Sequence, residues 1–240
     1  MQIDGAITAL GSTITMTGAG QMSFKAGEGE LTFKMSGLPA GAEAALHGNS
    51  LEMTELIKAG TLYMDSPLFA EKLPGGARWI KLDLASAAQA MGLDPSAMAS
   101  FGANPSQYLS YLKAAGASVT LAGHASVRGV PTTRYAGQVN LLQAMEKAAG
   151  SNVAKVRELF SKVHAALGSA TMPVEVWVDG AGRVRKEALT LTVGGTGDGA
   201  AAKMAIEFFK FGATPSITAP SGSEVYDLTQ QALQGLSAAQ

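Results

Sequence analysis

Histidine, carboxylate and hydroxyl side chains are the groups through which this 240-residue chain could do chemistry. His47, His124 and His164 stand far apart in sequence, and none sits at a metal-ligand interval. Cysteine is absent, which excludes disulfides, a thiol nucleophile, thiolate metal sites and lipidation on sulfur. No Gly-x-Ser-x-Gly elbow occurs. The run Gly194-Gly195-Thr196-Gly197-Asp198-Gly199 lacks the Lys-Ser/Thr of a phosphate-binding loop and precedes a strand pattern, so it reads as a hairpin turn. Glu43, Glu52, Glu55, Asp65, Asp83, Glu175, Asp179 and Glu187 fall mostly on polar strand positions or in turns. That placement suits surface ion pairs and not the paired acids of glycoside hydrolysis. Arg183, Arg185 and Glu187 share one strand parity opposite Glu175 and Asp179, which predicts cross-strand pairing. No catalytic residue, metal site or cofactor is expected.

What remains is the chemistry of apolar surface. Hydrophobic residues make up 47% of the chain and charged residues only 15%, against the roughly 25% usual for globular domains. The 18 basic and 19 acidic residues include no basic block, which argues against nucleic acid as a partner. Eleven methionines fit an interior of adaptable shape, or gaps in an ordinary core. No run approaches the length of a membrane span, and Met1 is followed by QIDGAITALG, without a basic segment or a long apolar one. The chain is therefore expected to be soluble, in keeping with a mature or trimmed portion of a longer precursor.

The elements that would position this surface are strands first. Ile14, Met16, Met22 and Phe24 alternate with Thr13, Thr15, Thr17, Gln21 and Ser23, with Gly18 to Gly20 expected as a turn or bulge. Leu31, Phe33 and Met35 alternate likewise, and Leu51 to Ile57 continues up to Gly60. In TLYMDSPLFAEKLPGGARWIKLDL (61–84), Leu62 and Met64 alternate with Tyr63 and Asp65, and Ile80, Leu82 and Leu84 with Trp79, Lys81 and Asp83. The loop between them carries Phe69 and Leu73, too apolar for plain solvent, so it is expected to border a cavity mouth.

A helical middle follows. Asp94-Pro95 opens one helix closed by Gly102, and Asn104-Pro105-Ser106-Gln107 approximates a capping box for a second that ends at Gly116. Tyr108, Leu109, Leu112 and Ala115 are its apolar stripe. Strands resume at 118–128 and 132–139. Asn140 and Asn152 then cap helices bearing Leu142, Met145 and Ala149, and Val153, Val156, Phe160, Val163 and Leu167. Val174 to Val178, a turn at 179–182, Val184 to Val193 and Met204 to Phe211 close the sheet, and Asp227 caps a last helix. About nine to eleven strands with clustered helices predict an α+β domain spanning 1–240, with helices near 95–115 and 140–167 on the concave side of a curved antiparallel sheet.

Several blocks resemble the actinobacterial LolA-like lipoprotein family (LppX/LprG type): the 61–84 segment, NPSQYLSYLKAAG (104–116), VRGVPTTRYAG (127–137), MPVEVWVDGAGRVRK (172–186) and EVYDLT (224–229). They run in family order over roughly 50–229. The resemblance implies a curved, incomplete antiparallel barrel with helices covering the concave face and acyl chains held between. It also implies lipid or lipoprotein carriage, or lipid-linked sensing, in the cell envelope, with the membrane surface and a lipid or acylated ligand as partners. The family's signal peptide, lipobox cysteine and first helix have no counterpart in this chain, so anchoring and export are not read from it. Positions in matching blocks that also have inward parity or lie on the helical stripe are the expected cavity wall: Leu62, Met64, Ile80, Leu82, Tyr108, Leu109, Leu112, Tyr135, Val174 and Val176. A sensor domain with a protein partner, and a structural domain with a filled core, remain alternatives. A carrier needs a cavity with a mouth, and a filled core has neither.

Overall fold

The alternating segments join into one twelve-stranded sheet in the computed structural model, which describes residues 1–9, 12–39, 46, 50–70, 72–90, 119–149, 152–154, 156–158, 160–161, 171–193 and 200–238. The strands are β1 (Gln2–Ala9), β2 (Ser12–Ser23), β3 (Glu28–Ser36), β4 (Leu51–Lys58), β5 (Thr61–Asp65), β6 (Trp79–Asp83), β7 (Thr120–Val127), β8 (Val130–Asn140), β9 (Thr171–Asp179), β10 (Val184–Val193), β11 (Ala200–Glu207) and β12 (Val225–Asp227). Their order across the sheet is β12-β6-β5-β4-β3-β2-β1-β11-β10-β9-β8-β7. Two meanders therefore spread in opposite directions from a central seam, where β1 pairs with β11 from Gln2↔Glu207 to Thr8↔Ala201. The sheet is curved and unclosed, as expected, with β7 and β12 as its edges. Helices are few among the described residues: α1 (Pro67–Ala70), α2 (Leu84–Ala90), α3 (Leu141–Ala148), α4 (Thr229–Ala238) and helical residues between 152 and 161.

Direct partners in an antiparallel ladder share a face. One row runs Met53, Phe33, Gly18, Ile3, Ile206, Glu187, Val176, Tyr135 and Leu121, crossing nine strands with apolar residues at most positions. The opposite face carries opposite charges set side by side: Lys34 beside Glu52 (3.2 Å), Lys186 beside Glu207 (3.4 Å) and Lys81 beside Asp227 (2.9 Å). Such pairs fix register more than they stabilise, since exposed pairs contribute about 0–1 kcal/mol each.

Several expectations need correction. Gly18 to Gly20 makes no turn or bulge, because β2 runs straight through them in unbroken register with β3. A Cβ on Gly20 would lie 2.0 Å from the Glu30 carbonyl oxygen and one on Gly18 2.7 Å from the Phe33 ring, so these glycines let β3 approach closely. β1 and β12 are strands that the alternation pattern does not predict. β12 is also the one parallel neighbour among the described strands, beside β6. The last long strand is Ala200–Glu207, short of the expected Phe211, because Lys210 adopts φ 54° and turns the chain away. Glu187 does not share a face with Arg185. A bulge between Val184 and Lys186 shifts the parity and moves Glu187 to the apolar face, where it is 9% exposed. The expected helices from Pro95 and Pro105 lie outside the described residues.

To reach β12 beside β6, residues 208–224 must pass over the polar face. Lys58 on that face donates from Nζ to the Ile217 carbonyl, and Leu56, two residues earlier, is buried, as is Ile217. This strap ends where Val225 pairs with Trp79 and the Leu228 amide donates to the Lys81 carbonyl (2.9 Å). Asp227 then accepts from the Thr229 amide (3.0 Å) to start α4, matching the expected cap. Asn140 caps α3 as expected, accepting from the Gln143 amide at 2.9 Å.

Candidate functional site

Register decides which of the expected wall residues can act together. Leu62 faces Leu82, and Met64 faces Ile80, as direct partners on β5 and β6. Tyr135 faces Val176, and Gly137 faces Val174, on β8 and β9. All seven described wall residues lie on the apolar face. They form two groups, however, because β5 is third and β9 tenth in the strand order. At roughly 4.8 Å per strand the groups stand about 34 Å apart along the sheet. Tyr108, Leu109 and Leu112 lie outside the described residues.

The two halves of the face differ in packing. At the β8–β11 end, Val174 and Val176 are each 1% exposed in a cluster with Val139, Val184 and Phe208, against which Ala144 of α3 and Ile206 pack. Val156 and Phe160, on the expected helical stripe, are also buried. At the β2–β6 end, Leu62, Met64 and Leu82 are half-buried, as are Leu31, Ile57, Met16, Met22, Met35 and Met53 on the same face. Ile80 is buried beside them. The methionine-rich character of this half follows from register, which gathers thioethers from β2, β3, β4 and β5.

One carboxylate lies among them. Glu55 faces Leu31 on one side and Met64 on the other, and has no ion-pair or hydrogen-bond partner among the described residues. Burial pushes its carboxyl above the usual range. Strand alternation already places it on the parity of Leu51, Met53 and Ile57, and the register of β4 with β3 and β5 sets it between Leu31 and Met64.

Phe69 and Leu73 lie in the corner between β5 and β6, both half-buried. Ser66, 2% exposed, accepts from the Leu68 amide through its Oγ (3.4 Å) and from the Phe69 amide through its carbonyl (3.3 Å), holding α1 against the end of β5. Leu68 is exposed. Arg78 closes the same corner on Asp65 (2.6 Å).

A cleft that strand alternation does not reveal opens on the polar face. It has a volume of about 540 Å³ and lies between β2–β3 and the strap residues 208–215. The signal that could have found it is Phe208-Phe209-Lys210-Phe211, three of the eight phenylalanines within four residues. Phe208 turns into the core against Phe24, with ring centroids 5.8 Å apart, while the Arg128 guanidinium lies 4.0 Å over Phe209. Phe211 is exposed, with Arg185 4.7 Å from its ring.

In chemical terms, the half-buried apolar region can solvate hydrocarbon, at about 0.8 kcal/mol per methylene withdrawn from water. No protein-family model matches this chain, and no curated protein matches it. Solved structures similar to it include LprF from Mycobacterium bovis, at 11% identity over 92% of this chain and 90% of that one, with a TM-score of 0.36. The Mycobacterium tuberculosis lipoprotein LppX follows at 11% identity, 85% and 84% coverage and a TM-score of 0.34. The Pseudomonas aeruginosa MucA/MucB complex matches at 13% identity over 90% of this chain and 52% of that one, with a TM-score of 0.32. Overlap this loose transfers neither ligand nor activity to this chain.

Proposed function

We propose that this chain is a single non-enzymatic domain that binds lipid or lipidated molecules, with acyl chains lying along the β2–β6 half of the apolar face. Uneven burial is the observation that carries this reading. Val174 and Val176 are packed almost completely, while Leu62, Met64 and Leu82 on the same face are only half covered. A contiguous apolar region left part-exposed favours an apolar partner, and the flexible thioethers around it suit chains of variable shape. Leu62, Met64, Ile80 and Leu82 form the wall in this reading, and Phe69 and Leu73 border the mouth. Tyr108, Leu109 and Leu112 are assigned to the facing stripe from their helical spacing. Tyr135, Val174 and Val176 close the packed end. The family resemblance adds an extracytoplasmic, cell-envelope setting and a role as carrier or chaperone at a membrane surface.

The test is native mass spectrometry for co-purified lipid, followed by uptake of a long-chain fluorescent lipid by Leu82→Trp. The variant is expected to take up at least fivefold less lipid while keeping its melting temperature within a few degrees, since the indole enters space left open. Overpacking a filled core costs about 1–3 kcal/mol instead. Unchanged uptake together with a marked loss of stability would refute the proposal and favour a filled core.

A further inference from the structure

We infer that the cleft between β2–β3 and the strap is a second ligand site, which takes an amphiphile with one apolar tail and an anionic head. The inference is independent of the apolar-face reading, because this cleft opens on the other side of the sheet, where Ala19, Gln21, Glu30 and Thr32 line it. Its interior is out of character for that side. Phe209, Phe211, Ala213 and Pro215 of the strap line it, beside a face otherwise made of threonines and ion pairs. At about 540 Å³ it falls within the roughly 300–1,000 Å³ range of small-ligand clefts.

Charge sets the polarity of the occupant. Elsewhere on this side the strand cations other than Lys203 are matched: Lys34 with Glu52, Lys58 with Glu28, Arg128 and Lys186 with Glu207, and Arg183 and Arg185 with Asp179. Lys25 and Lys210, both lining the cleft and both exposed, have no ion-pair partner among the described residues. Lys210 is also held at φ 54°, a left-handed turn that non-glycine residues seldom adopt. Glu30 is the one carboxylate in the lining among the described residues, so the cleft keeps an excess of positive charge. A carboxylate or phosphate head between the two ammonium groups, with its tail against the aromatic surface of the strap, satisfies both features. A neutral or cationic head satisfies only the second.

Isothermal titration of the full chain with dodecanoate and dodecyl phosphate tests this, with dodecyl maltoside, dodecyltrimethylammonium and inorganic phosphate as comparators. Both anionic amphiphiles are expected to bind at least tenfold more tightly than any comparator. Lys25→Gln combined with Lys210→Gln is expected to weaken dodecanoate five- to tenfold at low salt. Ala19→Trp, at an exposed position of the cleft wall, is expected to abolish the lysine-dependent part of the binding. Leu82→Trp is expected to remove only uptake by the apolar face and to leave the loss caused by the lysine changes undiminished, which separates the two sites. Equal binding of dodecyltrimethylammonium, or of inorganic phosphate and dodecyl phosphate, would overturn the assignment. So would dodecanoate binding that survives Ala19→Trp and the lysine changes but falls with Leu82→Trp.

Discussion

Asp179 and Glu55 are two carboxylates withdrawn from water with opposite consequences. Burial alone would raise the Asp179 pKa, but bonds from the Arg183 amide, the Arg185 and Arg183 side chains and the Ala181 amide outweigh it, holding the group at about 2. These bonds span 2.7–3.0 Å, and the side chain is 3% exposed. Because the folded value lies below the unfolded one near 3.8, the stabilisation is complete above about pH 4 and is lost as pH falls towards 2. Asp179→Asn is expected to cost about 1.5–3 kcal/mol at pH 7 and to flatten the acid limb of melting temperature against pH. Asp227, held at about 2 by Thr229 and then Lys81, would supply part of the remaining limb. Glu55 has the reverse sign. Its folded pKa is raised, so the ionised form opposes folding at neutral pH and the penalty vanishes below the unfolded value of 4.5. Glu55→Gln is therefore expected to raise the melting temperature at pH 7 and to have no effect at pH 4. Scanning calorimetry at the two pH values checks both variants, and a gain at pH 4 alone would contradict the burial argument.

At the scale of elements, the sheet depends on backbone approach as much as on side-chain pattern. Gly20 lies against the Glu30 carbonyl in the β2–β3 ladder, where any Cβ forces the backbones apart. Gly20→Ala is expected to lose at least about 1–3 kcal/mol in denaturant unfolding. Gly180, in the β9–β10 turn with open space where a Cβ would stand, is the control, and Gly180→Ala is expected to stay within about 0.5 kcal/mol. Equal effects would show that chain entropy, not close approach, governs glycine in β2. The β7–β8 hairpin makes the complementary point. Its two-residue turn, Arg128 at φ 50° and Gly129 at φ 78°, has the paired left-handed conformations that match strand twist. The sequence pattern locates this corner at Arg128 to Pro131, two residues too long, since Val130 and Pro131 already pair with Val127 and Ser126.

For the whole molecule, the strap joins β11 at the central seam to the edge strand β12 and buries Ile217 on a face that is otherwise polar. Ile217→Ala is expected to cost about 2–5 kcal/mol. If the strap is what holds β12 in place, hydrogen–deuterium exchange should rise together in Val225–Asp227 and in β6, while β10 and β11 stay protected. Uniform loss of protection across all twelve strands would mean that the strap and the central seam unfold as one unit.

Much of this fold is legible in the residue pattern alone, for a local reason. Alternation fixes a side chain's face through its nearest neighbours, so Leu62 with Met64, Ile80 with Leu82, and Val174 with Val176 can each be placed on an apolar face. Caps and turns are equally local, which is why Asn140, Asp227 and the 179–182 turn stand where they are expected. Strand order is not local. That β1 lies between β2 and β11, that the wall residues fall into two groups, and that residues 208–215 roof a cleft on the polar face all depend on contacts between residues tens to hundreds of positions apart. Glu187 marks the boundary: a bulge between Val184 and Lys186 carries it to the apolar face, against its expected parity. The sequence by itself determined an antiparallel sheet with one apolar face. Which parts of that face are packed and which stay open was decided only by the tertiary structure, because the covering element is chosen by the free energy of the assembled layers and not by any strand's own pattern.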